Sequence, residues 1–192
     1  YEKVMKTMHL FLLLAFLSLI NHACAQEKET RLIIRGDDIG FSHAANEACI
    51  KSYKEGFMTT VELMVPCPWF PEAVKMLNEN PGLDVGVHLV LTSEWENLKW
   101  GPVSCAPSLT DENGYFYPRI WKDEDSPANT ALRQADWKIE EIEQEFRAQI
   151  ELALKKVPYI SHLTCHMGCS NWDEQVAAVF SKLAKEYNLD ID

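Results

Sequence analysis

Leu32-Ile33-Ile34-Arg35-Gly36-Asp37-Asp38-Ile39-Gly40 is the stretch that decides how this chain reads. Its apolar triplet predicts a buried strand over residues 31–35, which runs straight into two adjacent carboxylates and a glycine. Neighbouring acids repel each other and resist burial, so a fold serving stability alone avoids them. Turn chemistry is the simpler account, since Asp and Gly are ordinary loop formers. A metal site with a base beside it would use the same pair, one carboxylate on the ion and the other taking a proton from water.

Strands and helices alternate outward from this point. Ser42 can cap a helix from His43 to Glu55, which Gly56 would end. Residues 57–65 read as a second strand, Pro71 opens a helix closing near Asn80-Pro81-Gly82, and residues 84–91 read as a third strand. A long segment over 93–130 follows, whose aromatics (Trp95, Trp100, Tyr115, Phe116, Tyr117, Trp121) argue against disorder. Ile139, Ile142, Phe146, Ile150 and Leu154 recur at helical spacing within a helix predicted over 134–156. A fourth strand over 159–165, a helix over 173–187 and the start of a fifth strand at Leu189-Asp190-Ile191-Asp192 complete the pattern. Such alternation predicts an α/β fold with a parallel sheet, whose chemistry gathers at the C-terminal strand ends. Asp37, Asp38, His88 and His166 all fall at or near such ends.

Composition narrows the setting. Lys6 precedes an apolar run, Leu10 to Ile20, too short for a comfortable membrane span, and Ala23-Cys24-Ala25 offers the small residues of a cleavage site. Residues 1–25 are therefore expected to be a secretory signal, cleaved near Ala25, and the protein to be exported. A lipid anchor on Cys24 is disfavoured by Asn21, where a lipobox usually carries Leu. Residues 26–192 suffice for one domain with its own core. A formal net charge of -11 argues against nucleic acid and anionic membranes and suits neutral or cationic substrates. Cys49, Cys67, Cys105, Cys165 and Cys169 are an odd, scattered set that predicts neither a disulfide framework nor a structural zinc site.

Beyond the leader the histidines are His43, His88, His162 and His166. His43 reads most simply as a polar helix-start residue. His88 interrupts an apolar strand and needs a partner if buried. The period of two puts His162, Thr164 and His166 on one strand face. Each has a purely structural explanation on its own. Together, a carboxylate and two imidazoles make a three-ligand site open to water and substrate, as catalytic metal sites are. The ligand types suit Zn²⁺ best, with Mg²⁺, Mn²⁺ or Co²⁺ as alternatives.

Arg35-Gly36-Asp37-Asp38-Ile39-Gly40, Asn46, Gly86-Val87-His88-Leu89-Val90-Leu91-Thr92 and Ser161-His162-Leu163-Thr164-Cys165-His166, in that order, resemble the YdjC/ChbG-type carbohydrate deacetylases, an HpnK-related family akin in chemistry to the NodB polysaccharide deacetylases. The resemblance implies a (β/α) barrel-like fold and one divalent ion held by Asp38, His88 and His166, with Asp37 as general base. It implies hydrolysis of N-acetyl groups from amino sugars or oligosaccharides. His162 is the candidate acid, and Trp95 and Trp100 are candidates for stacking on sugar rings. Where the family motif reads His-x-Asp-x-His-x-His, this chain has Thr164 for the Asp and Gly168 for the last His. With fewer strands than the eight or so of a closed barrel, the sequence is expected to be an incomplete, C-terminally truncated barrel. Three competing readings are another exported metal hydrolase such as a phosphoesterase, a non-catalytic sugar-binding relative, and an acidic secreted structural domain whose histidines are core residues. The first is disfavoured by the acidic balance and the lack of a phosphate-cradling glycine loop.

Overall fold

The computed structural model describes residues 32–124, 127 and 130–192, together with residues 1, 2, 5 and 9. The chain divides into two units, Tyr1–Leu32 and Ile33–Asp192, and the second carries the fold. Most of the leader, with Cys24 and the cleavage site at Ala25, lies outside the described residues. Among the described residues no helix is long and apolar enough to cross a membrane.

The elements run β1 (Arg35–Ile39), α1 (His43–Glu55), β2 (Thr60–Leu63), α2 (Phe70–Asn78), β3 (Asp84–Leu89), α3 (Ile139–Lys156), β4 (His162–Cys165), α4 (Glu174–Tyr187) and β5 (Asp190–Ile191). Their local causes are those the sequence implies. Ser42 caps α1 by accepting from the Ala45 N–H at 3.2 Å, and a proline sits in the first turn of α2. Glu140 and Glu141 begin α3 and Lys155 and Lys156 end it, each pair favourable to the helix dipole. Asn188, in the left-handed conformation, closes α4.

All five strands pair in parallel in the order β1-β2-β3-β4-β5. The order never reverses, and right-handed crossovers then keep the helices on one face, so the sheet is an arc of a barrel. Val61, Leu63, Val85, Val87, Leu89 and Leu163 point to the helical face, all fully buried. They pack with Phe146, Ile150, Val176 and Leu183 into the core. The opposite, concave face carries Arg35, Asp37, Glu62, Gly86, His88, His162 and Thr164.

Three expectations need correction. The first strand is not residues 31–35: Leu32 and Ile33 are 82% and 68% exposed, and the ladder begins at Arg35. The paired carboxylates therefore lie inside β1 and not after it. The second strand is shorter than 57–65, because Phe57 stays in solvent and pairing starts at Thr60. Cys165 and Cys169, members of a set that predicted no disulfide framework, form a disulfide.

The segment between β3 and α3 packs as a cap. Its own Trp100, Leu109, Phe116 and Ile120 are buried. Glu145 of α3, itself fully buried, accepts from the N–H groups of Val103 and Ser104 at 3.1 and 2.8 Å. Burying a carboxylate is tolerable here because backbone donors replace its water.

The turn after β1 is fixed by Asn46 of α1. Gly40 has φ +105, and a Cβ there would lie 2.8 Å from the Met64 carbonyl oxygen, so only glycine fits. Its N–H donates to the Asn46 side-chain oxygen at 2.7 Å, while the Asn46 amide donates to Glu72 and to the Trp69 carbonyl. Asn46→Ala would leave that buried N–H without an acceptor. The expected loss is about 1–3 kcal/mol, read as a lowered midpoint in urea at unchanged slope.

Candidate metal centre

A regular strand would send Asp37 and Asp38 to opposite faces of the sheet. The pairing of β1 with β2 prevents that. Gly36 lies opposite Val61 and Ile39 opposite Leu63, three residues advancing on β1 against two on β2. This is a bulge, and Asp38 absorbs it in the left-handed conformation with φ +66. Both carboxylates consequently face the concave side. Asp37 accepts from the Arg35 guanidinium at 3.0 Å and remains about half exposed. Asp38 turns toward β3 and β4.

Asp38 Oδ1 there lies 3.5 Å from His88 Nε2 and 3.1 Å from His166 Nδ1. The two rings meet edge to face at 5.3 Å, and one ligand atom from each of the three residues lies within 4.8 Å of the others. The far nitrogen of His166 contacts Glu94 at 2.9 Å, just past the end of β3. His88 Nδ1 contacts Thr164 Oγ1 at 2.7 Å.

Burial and neighbouring charge set the protonation states. Burial, with the His166 charge beside it, drives His88 down to about 4, so it is a neutral imidazole at physiological pH. Burial also opposes a charged His166, but Asp38 and Glu94 outweigh it and raise the ring to about 9. Burial pushes the Asp38 carboxyl up, and His166 and His88 more than offset this, leaving it below the usual carboxylate range.

The residues fit a divalent cation. Asp38 Oδ1 is buried and faces only the rings of His88 and His166. Without an ion the His166 proton supplies the positive charge this buried oxygen needs, and a divalent cation would take that proton's place. The site offers one such oxygen and two imidazole nitrogens, each ring held from behind by a polar partner, as metal-binding histidines usually are.

Of the residues singled out from the sequence, Asp38, His88 and His166 come together, with Asp37 next along β1 on Arg35. His162 does not: it lies one row deeper on the concave face, with Nε2 on Glu62 at 2.8 Å and Nδ1 on Ser161 at 2.7 Å. Three residues of strand separate it from His166, and the shared face carried no information about that distance. Trp100 is not a free platform either. It is 3% exposed, and its indole N–H donates to the Thr92 carbonyl at 2.8 Å. Trp95 does stand in solvent, 54% exposed and tilted against Phe41 at 5.5 Å, one residue from Glu94. Where a final motif histidine was expected, a side chain at Gly168 would collide with the Trp121 ring at 2.7 Å. Glu62 and Glu94 were missed, because nothing along the chain marks a carboxylate that acts across strands.

Comparison with known proteins supplies the family. The family profile described as YdjC-like protein matches residues 31–191. Carbohydrate deacetylase 1 of Listeria innocua is 34% identical over 161 residues, covering 84% of this chain and 60% of that protein. The carbohydrate deacetylase of Thermus thermophilus is 36% identical over 158 residues, covering 82% of this chain and 51% of that one. The chain thus spans between half and two thirds of the length of these relatives. A crystal structure of an Enterococcus faecalis V583 protein assigned to cellobiose-phosphate cleavage superposes with a TM-score of 0.69 at 28% identity, over 83% of this chain and 57% of that one. With a profile match over residues 31–191 and relatives about one third identical over most of its length, the chain belongs to the YdjC-like protein family.

Proposed function

We propose that this protein is a metal-dependent carbohydrate deacetylase that removes N-acetyl groups from amino sugars or oligosaccharides. The observation that carries the reading is the convergence of Asp38, His88 and His166, with ligand atoms within 4.8 Å of one another and the Asp38 oxygen buried between the two imidazoles. The names of the Listeria and Thermus relatives supply the substrate class. The acidic composition suits a neutral glycan, and the leader suits an exported enzyme acting outside the cytoplasm.

Asp38, His88 and His166 would hold the ion, Zn²⁺ or Mg²⁺. When bound it would polarise the acetamide carbonyl and acidify a water molecule. Asp37, next to Asp38 in sequence and half exposed, would accept the proton of the attacking water. Its contact with Arg35 fixes the carboxylate's orientation. Glu94 holds the His166 ring from behind. Both nitrogens of His162 are engaged below the site, so it is not placed to protonate the departing amine. Trp95, exposed near the rim, offers a flat apolar surface to a sugar ring.

Acetate release from chito-oligosaccharides, read beside elemental analysis of the protein, tests this reading. About one divalent ion per chain is expected, lost in His88→Ala together with acetate release. Asp37→Asn should cut turnover by about 10²–10⁴-fold while retaining the ion, whereas Asp38→Asn should bind it poorly. Equal loss of metal from both aspartate variants would refute the division of roles. Trp95→Ala should raise KM about 3- to 10-fold at little change in kcat, the scale of one aromatic contact. An unchanged KM would remove Trp95 from the substrate path.

A further inference from the structure

Glu62 lies on the concave face of β2 and is fully buried. Burial of a carboxylate is unfavourable unless every oxygen is satisfied. Its Oε2 accepts from the Thr164 hydroxyl and its Oε1 from His162 Nε2 at 2.8 Å. The hydrogen on Thr164 Oγ1 is thereby committed to Glu62. Thr164 can then only accept from His88 Nδ1, 2.7 Å away, so His88 carries its proton on Nδ1 and presents a bare Nε2 toward Asp38. The other side of the network is equally ordered. His162 Nδ1 meets the Ser161 hydroxyl at 2.7 Å, and that hydroxyl donates to Asp84 at 2.7 Å.

The sheet has been shaped for this contact. Glu62, Gly86 and His162 are lateral neighbours on β2, β3 and β4. A Cβ on Gly86 would lie 2.4 Å from Glu62 Oε2 and 2.5 Å from His162 Nε2. Glu62 and His162 therefore meet across the middle strand only because it carries glycine there.

The geometry points to Glu62 as a positioning residue that acts through Thr164 to fix the His88 tautomer for metal binding, with His162 and Gly86 holding its carboxylate in place. This rests on the metal-dependent reading above. It also gives His162 a role other than proton donor: it clamps Glu62.

The test uses the full-length, ¹⁵N-labelled, metal-free chain, whose His88 ring nitrogens report the tautomer by NMR, followed by calorimetric titration with Zn²⁺. The wild type should show His88 locked with its proton on Nδ1. Glu62→Gln keeps the shape but can donate to Thr164, so it should release the lock and weaken Zn²⁺ by about 10- to 100-fold. Thr164→Val should do the same with Glu62 intact. Adding Thr164→Asp to Glu62→Gln places a carboxylate directly on His88 Nδ1 and should restore both readouts. The assignment is overturned if folded Glu62→Gln or Thr164→Val keeps the lock and the wild-type affinity, or if the double variant restores neither. A wild type that takes up no Zn²⁺, yet shows a lock that Glu62→Gln releases, would refute the metal-dependent reading and uphold the role of Glu62.

Discussion

Two carboxylates adjacent in sequence must reach the same side of a strand, and the strand's alternation forbids it. The bulge at Asp38 resolves that conflict, and the rest of the site depends on it. A left-handed aspartate costs on the order of 1 kcal/mol or more, and it persists because its surroundings leave it no alternative. Ile39 is anchored opposite Leu63 in the core. Gly40 turns where only glycine fits, and Asn46 ties that turn to α1 and to the start of α2. Core packing and one buried amide thus hold Asp38 against its own backbone preference.

The concave face opposes the usual division of a soluble α/β sheet. Its helical side is uniformly aliphatic, while its inner side stacks ionisable groups in rows. The lower row joins Glu62 to His162 across Gly86. There the hydrogen bond to Glu62 holds His162 above the ordinary imidazole range, against the pull of burial. The upper row sets neutral His88 beside charged His166, with Asp38 between them. Every charge in these rows faces an opposite charge or an oriented dipole, the condition under which burial is tolerated.

Much of this was legible in the sequence, for identifiable reasons. The α/β alternation followed from helical periodicity in Ile142, Phe146 and Ile150 and from cap residues such as Ser42, all local signals. Asp38, His88 and His166 were legible because parallel strands bring their C-terminal ends to one edge. The start of β1 was not, because Leu32-Ile33-Ile34 is apolar while the residues the core takes are Gly36 and Ile39. At Gly36 the end of the Met58 side chain fills the space a Cβ would take. The depth of His162 and the burial of Trp100 depend on strand register and on how a long segment folds back, and neither leaves a mark in residue spacing.

Thr164 shows how a motif read along one strand can misjudge a site built across several. At a position where the resembled motif carries aspartate, a threonine suggests that support for the metal-facing histidine has been lost. On the sheet, the same support can come from any strand whose register brings a carboxylate within reach. β2 and β4 flank β3, so Glu62 and Thr164 can act together, one supplying the charge and the other the hydroxyl that relays it. The exchange requires a longer side chain on β2, a short hydroxyl on β4 and no side chain between them on β3. Glu62, Thr164 and Gly86 meet those three conditions together, and a change at any one of them alone would leave a buried polar group without its partner.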